Sequence, residues 1–242
     1  MVRFAKSSRV QVLGGAGGDT FSPAFSDDFN RANSAFLGPN WLPGPLLATG
    51  GGTGGGLGIT AGVCVFQGSA VTAGDSTPFG AFPLPPAPAY AGSAIVNQFA
   101  SLFLSLHGRT GGTAILAGPA IFGGCPLTTG DYRSYTLCWE AVDANPANDR
   151  WNLMQLVNTT RVSLGLGANG SAIAGQTLRL EGRATAASTI LSIVVNGVTV
   201  TTITDASASR TSTGMPHINR SLWVGSGPIN AINFGPFACG KL

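Results

Sequence analysis

The sequence predicts an all-β fold of antiparallel strands, preceded by an extended N-terminal arm and interrupted by long Gly/Pro-rich loops. Three observations carry that prediction. Apolar residues alternate with period two: Tyr135, Leu137 and Trp139 share one face, as do Leu178 and Leu180 with Arg179 and Glu181 opposite, the pattern of a half-buried sheet. Asn196-Gly197 separates ILSIVV from VTVTTI, and Asn-Gly suits the type I′ turn whose twist matches that of the strands it joins. No segment offers a glycine-free apolar period of 3.6, so little helix is expected.

Taken in order, residues 1–24 hold FAKSSRVQV and then LGGAGGDT, a basic Gly-rich arm with no packing face of its own. The folded domain is expected to span 25–242. It opens at FSDDFNRANSAFLGPNW, where a short strand near Phe29 leads through Asn30, Asn33, Gly38, Pro39 and Asn40 to Trp41. Residues 42–60 read as a flexible Gly/Pro insertion. Its GxGxxG match at Gly50, Gly52 and Gly55 lacks the preceding strand and following helix of a dinucleotide site. No cofactor is expected.

A strand-like run follows at Val63–Phe66, and then a second irregular stretch at 75–92. That stretch has five prolines, the aromatics Phe79, Phe82 and Tyr90, and no charge after Asp75. A stiff, uncharged aromatic loop favours an interface. Strands are then expected at Ser93–Leu106, Ala114–Phe122, Ser134–Val142, Arg150–Val157 and Gln176–Ala184, each bounded by Gly, Asn or Pro turns.

The opening run DDFNRANSAFLGPNW resembles the start of concanavalin A-like jelly-roll domains, the lectin/glucanase and LamG-type sandwiches, including those of tailed-phage virion proteins. LRLEGRATAASTILSIVVNGVTVTTITD and SLWVGSGPINAINFGPFACG are similar to that family's closing strands. The resemblance implies a two-sheet antiparallel jelly-roll sandwich in which the strand at Phe29 neighbours the one at Ile232–Phe237. A fold does not name a function.

Composition narrows the classes of function. The 242 residues fit one large β-domain; only 10% are charged, against about 25% in ordinary globular chains, and mean hydropathy is +0.27. No uninterrupted apolar run approaches the length of a membrane span, and the N-terminus lacks the apolar centre of a signal peptide. Assembly in a host cytoplasm, with the surface covered by neighbours, is therefore expected. Together with the resemblance this implies a virion structural protein, decorating a tailed-phage capsid, whose partners are the major capsid protein, other virion subunits or further copies of itself.

The charge is local. Arg3, Lys6 and Arg9 are the only charges before Asp19, and the remainder carries ten basic and ten acidic residues. A neutral body argues against nucleic-acid binding. Docking is expected through Arg3, Lys6 and Arg9 together with Phe79, Phe82 and Tyr90. Lysine is nearly absent, two against eleven arginines, as interfaces prefer, although codon bias produces the same ratio.

Catalytic signals are sparse. The glucanase branch needs paired carboxylates, but Glu140 and Glu181 are the only glutamates. Trp139-Glu140-Ala141-Val142-Asp143 departs from that branch's Glu-x-Asp-x-x-Glu strand pattern. The chain is therefore expected not to be an enzyme. His107 and His217 stand alone beside turns, and Cys64, Cys125, Cys138 and Cys239 lack the close pairs of a zinc site; Cys64 and Cys138, in strand-like runs, read as buried thiols. The run DANPAND at 143–149 and the pair Asp27-Asp28 offer oxygen atoms that also suit Asx turns. No metal is assigned. As the alternative, a tail-fibre or adhesin module would stack a glycan on Trp41 and Trp151, which lie near turns, whereas Trp139 and Trp223 fit core positions.

Overall fold

The computed structural model describes residues 25–34, 37–43, 57–66, 79–83, 97–107, 115–123, 133–158, 160–223 and 232–242. In chain order the strands are β1 (Phe25–Asp27), β2 (Trp41–Pro43), β3 (Leu57–Thr60), β4 (Val63–Phe66), β5 (Phe79–Pro83), β6 (Gln98–His107), β7 (Ile115–Gly123) and β8 (Arg133–Glu140). There follow β9 (Arg150–Val157), β10 (Thr160–Leu166), β11 (Thr177–Ala184), β12 (Thr189–Val195), β13 (Val198–Asp205), β14 (Met215–Trp223) and β15 (Ile232–Lys241). A 3-10 turn at Pro146–Asn148 is the only helical element among the described residues. None of these residues forms a helix able to cross a membrane.

Two antiparallel sheets face one another. The first runs β13-β12-β11-β6-β15-β4-β3 with β1 also on β15, and the second runs β10-β9-β8-β7-β14-β5-β2. Alternation explains the layer between them: Leu178 and Leu180 of β11 and Leu191 and Ile193 of β12 meet Tyr135, Leu137 and Trp139 of β8 in one continuous apolar core.

The ends of the domain close as the family resemblance implied. Phe25, Ser26 and Asp27 pair with Cys239, Ala238 and Phe237. The strand stops before Phe29, which turns into the left-handed region at φ 57° and drops its ring into the core. Asn196 and Gly197 also take positive φ, 50° and 81°, and Val195 pairs with Val198 across them, as a type I′ hairpin requires.

Other elements differ from expectation. β8 is buried on both faces rather than one, because Ser134, Thr136 and Cys138 are covered as well as Tyr135, Leu137 and Trp139. Thr160–Leu166 forms a strand that composition did not suggest. Strands also occur inside the two stretches read as irregular: Trp41–Pro43 and Phe79–Pro83 pair with each other, Phe79–Ala81 pairs onward with β14, and Leu57–Thr60 pairs with β4. The arm at 1–24, Tyr90 and Cys125 lie outside the described residues.

Candidate binding face

The second sheet has one face against the core and one turned away from it. Because Tyr135, Leu137 and Trp139 point inward, Thr136, Cys138 and Glu140 alternate outward. Register then fixes their neighbours, since residues directly opposite across an antiparallel pair share a face. Glu140 stands opposite Arg150, Cys138 opposite Asn152 and Thr136 opposite both Met154 and Ala120.

At one end of this face polar side chains form a row across three strands. Arg150 donates from Nε and Nη2 to the two oxygens of Glu140 at 3.2 and 3.3 Å. Asn152 Nδ2 adds a bond to Glu140 Oε2 at 3.2 Å, and Ser163 Oγ donates to Asn152 Oδ1 at 2.9 Å. The ion pair is half-buried, with side-chain exposures of 15% for Glu140 and 27% for Arg150. It therefore keeps polar edges within reach of a ligand while holding its own geometry.

Further along the same face, Asn219 Nδ2 donates to Thr136 Oγ1 at 2.9 Å, and both are buried. His217 is not a solvated loop residue but a fully buried member of β14. Burial pulls its pKa down to about 4, against the opposing hydrogen bond between Nδ1 and Met215 O at 3.1 Å. It is neutral at neutral pH.

Glu140 is the only acidic residue in the seven strands of this sheet. Asp143 serves its own turn, accepting from Asn145 N at 2.7 Å and Asn148 Nδ2 at 2.7 Å. Among the described residues no three His, Cys, Asp or Glu side chains converge as a metal set would. Cys64 and Cys239 are buried free thiols, and the buried Cys138 donates its Sγ hydrogen to Thr136 O at 3.8 Å; burial raises the pKa of both Cys64 and Cys239, with the Asp27 charge adding to the rise at Cys64.

The tryptophans offered as sugar platforms are occupied. Trp41 packs against Phe25 at 5.2 Å, Phe237 at 5.3 Å and Phe29 at 5.9 Å, and its Nε1 donates to Asp27 Oδ2 at 2.7 Å. Trp151 lies in the core, so closely backed that a Cβ on Gly167 would fall 2.6 Å from its Nε1. With exposures of 6% and 7%, neither ring is open to stack on a glycan. Trp139 fills the core as expected; the side chain of Trp223 lies outside the described residues.

Of the residues expected to dock a partner, Phe79 stands opposite Arg220 and Phe82 opposite Leu42 in the ladder of the second sheet. Their side chains lie outside the described residues, as do Arg3, Lys6, Arg9 and Tyr90 altogether. The sequence reading passed over Arg150, Asn152, Ser163 and Asn219. Their only signal is alternation against inward-facing neighbours, and that signal becomes a row only once strand register is known.

Comparison with solved structures decides the fold. The endo-1,3-β-glucanase of Streptomyces sioyaensis superposes with a TM-score of 0.57 at 15% identity, over 95% of this chain and 99% of that one. The fold is the concanavalin A-like jelly roll. A β-glucanase of Bacillus licheniformis shares this jelly roll at a TM-score of 0.50 and 11% identity, over 91% of this chain and 99% of that one. The CBM2 module of the evolved Dit of Lactobacillus casei BL23 phage J-1 gives a TM-score of 0.49 at 9% identity, over 90% of this chain and 94% of that one, too low to carry weight. No family model and no curated protein matches the chain by sequence.

Proposed function

We propose that this jelly roll is a non-enzymatic structural protein of a tailed-phage virion, using the glucanase-like fold for binding rather than hydrolysis. The observation that carries the non-enzymatic part is the lone carboxylate of the second sheet. Hydrolysis of a glycosidic bond takes two carboxyl groups, one protonating the leaving oxygen and one acting as nucleophile or base. Glu140 has no such partner in its sheet, and Arg150 occupies both of its oxygens. The virion assignment is supported by the resemblance of the opening run to virion domains and by a low-charge body whose excess of positive charge sits on the arm. Docking on the capsid through Arg3, Lys6, Arg9 and the aromatic stretch 79–90 is the finer form of the proposal. Quantitative mass spectrometry of purified particles tests it: copies in proportion to the capsid protein are expected, and absence from particles refutes it.

A second reading is favoured by the polar row. Arg150, Asn152 and Ser163 could bind the hydroxyls of a glycan beside Glu140, as in a tail-fibre or adhesin module, without cleaving it. Calorimetric titration with β-glucan oligosaccharides would then give binding that Arg150→Ala abolishes, and no reducing ends would be released. Silence of the wild-type chain toward every glycan tested removes this reading and leaves the structural one standing.

A further inference from the structure

The first sheet is dry on the face where a two-layer sandwich is ordinarily wet. Ala100 and Leu102 of β6, Leu180 of β11, Leu191 and Ile193 of β12 and Cys239 of β15 enter the core. Alternation turns their neighbours Phe99, Glu181, Ser192, Val194 and Gly240 the other way. Register sets four of these in one row, with Gly240 opposite Phe99, Phe99 opposite Glu181 and Glu181 opposite Ser192. Yet Phe99 is 0% exposed, Val194 1%, Glu181 7% and Ser192 8%. Arg179 supplies part of the cover, its guanidinium carbon 5.9 Å from the centre of the Phe99 ring. One guanidinium side chain, itself 28% exposed, is too small to dry the whole row. Among the described residues the second sheet lies against the inner face, and no strand is layered on the outer one.

We infer that residues 19–24 fold back across this row, with Phe21 on Phe99 and Asp19 beside Arg183. The chain enters β1 at the row itself, because Phe25 pairs with Cys239 and the next position along β15 is Gly240. Pro23 has no amide hydrogen and cannot continue the ladder, and Gly240 offers no side chain to step over. The distances match the chain available. β1 pairs with β15, β15 with β6 and β6 with β11, which puts β6 about 10 Å and β11 about 14 Å from β1 at ordinary strand spacing. Extended, the chain from Phe25 back to Phe21 reaches about 13 Å and the chain back to Asp19 about 20 Å.

Charge selects the occupant. Arg179 Nη2 donates to Glu181 Oε1 and Arg183 Nη1 to Glu181 Oε2 at 3.1 Å, so two positive charges share one carboxylate. Asp19 is the only charged residue from 10 to 24, and it brings the cluster to neutrality where cover would otherwise strand a cation. The competing stretch is 84–96, which enters β6 through Asn97 at the same end of the sheet but carries no charge to offset a guanidinium. Folded back in this way, the arm divides in two. Residues 19–24 belong to the body, and 1–18, with Arg3, Lys6 and Arg9, remain to reach a partner.

This inference holds whether or not the protein resides on a virion. Hydroxyl-radical footprinting tests it, with oxidation of Phe99 read by mass spectrometry. Phe99 should stay protected in the full chain and in a truncation lacking residues 1–18. It should oxidise several-fold faster in a truncation lacking 1–24 and in Phe21→Ser, both keeping the circular dichroism of the wild type because Phe25 and the core are intact. Asp19→Arg should open Phe99 as well, and adding Arg183→Asp should close it again. Three results overturn the inference: Phe99 still protected without residues 1–24, which would hand the cover to 84–96; protection that fades on dilution, which would hand it to the arm of a second copy; or a charge swap that fails to restore protection.

Discussion

Asp27 gathers four hydrogen bonds. It accepts from Arg31 Nη1 and Nη2 at 2.6 and 2.9 Å, from Trp41 Nε1 at 2.7 Å and from the Phe29 amide at 2.8 Å. Burial alone would raise its pKa, but these donors and the Arg31 charge outweigh burial and lower it from 3.8. Its contribution to stability is therefore complete above the unfolded pKa and is lost as pH falls below 3.8 through the folded value. Asp27→Asn keeps the shape but weakens several charge-assisted bonds; chemical denaturation at neutral pH should show a loss of about 2 kcal/mol, shrinking in acid. His217 acts in a higher window. Its folded pKa near 4 lies below the ordinary 6.5, so the unfolded chain takes up a proton first and stability declines as pH falls from 6.5 to 4. His217→Gln should flatten that part of a pH–melting curve.

Among the strands, what could be read from sequence was local. Asn196-Gly197 carries its turn in two residues, and β8 and β11 carry their inward faces in alternating apolar positions, so these needed no distant partner to be recognised. β2 and β5 are short, and they are strands only because β5 lies along β14, more than a hundred residues away in sequence. Trp41 looked exposed because turn residues precede it, yet Asp27, fourteen residues upstream, captures its indole. The Glu140–Arg150–Asn152–Ser163 row was hidden for the same reason, since it exists only in the register of β8, β9 and β10. Gly182 shows how tightly that register is packed: a Cβ there would fall 2.3 Å from Phe122 Cε2 and 2.5 Å from Ile121 Cδ1 across the sandwich. Gly182→Ala should destabilise by about 1–3 kcal/mol through overpacking, measured as a lower denaturation midpoint with an unchanged slope.

The described residues form one sandwich whose first and last strands lie together, and β1 adds only three residues to the sheet it joins. Removing residues 1–18 should leave the melting temperature unchanged, because that Gly-rich sequence offers no packing face of its own, whereas Phe25 and Phe29 pack in the core. Removing residues 1–27 should lower it, because that cut takes away Phe25 and the Asp27 contacts; calorimetry of the two truncations separates them. The antiparallel match of Phe25 with Cys239 also has a mechanical meaning. Both ends of the body leave from the same corner, so tension applied through them would peel β1 from β15 one bond at a time instead of shearing the strands together. The peel meets its first real resistance at Asp27, where Arg31 and Trp41 are tied to one carboxylate. Under load the domain has a short, yielding seam backed by a knot.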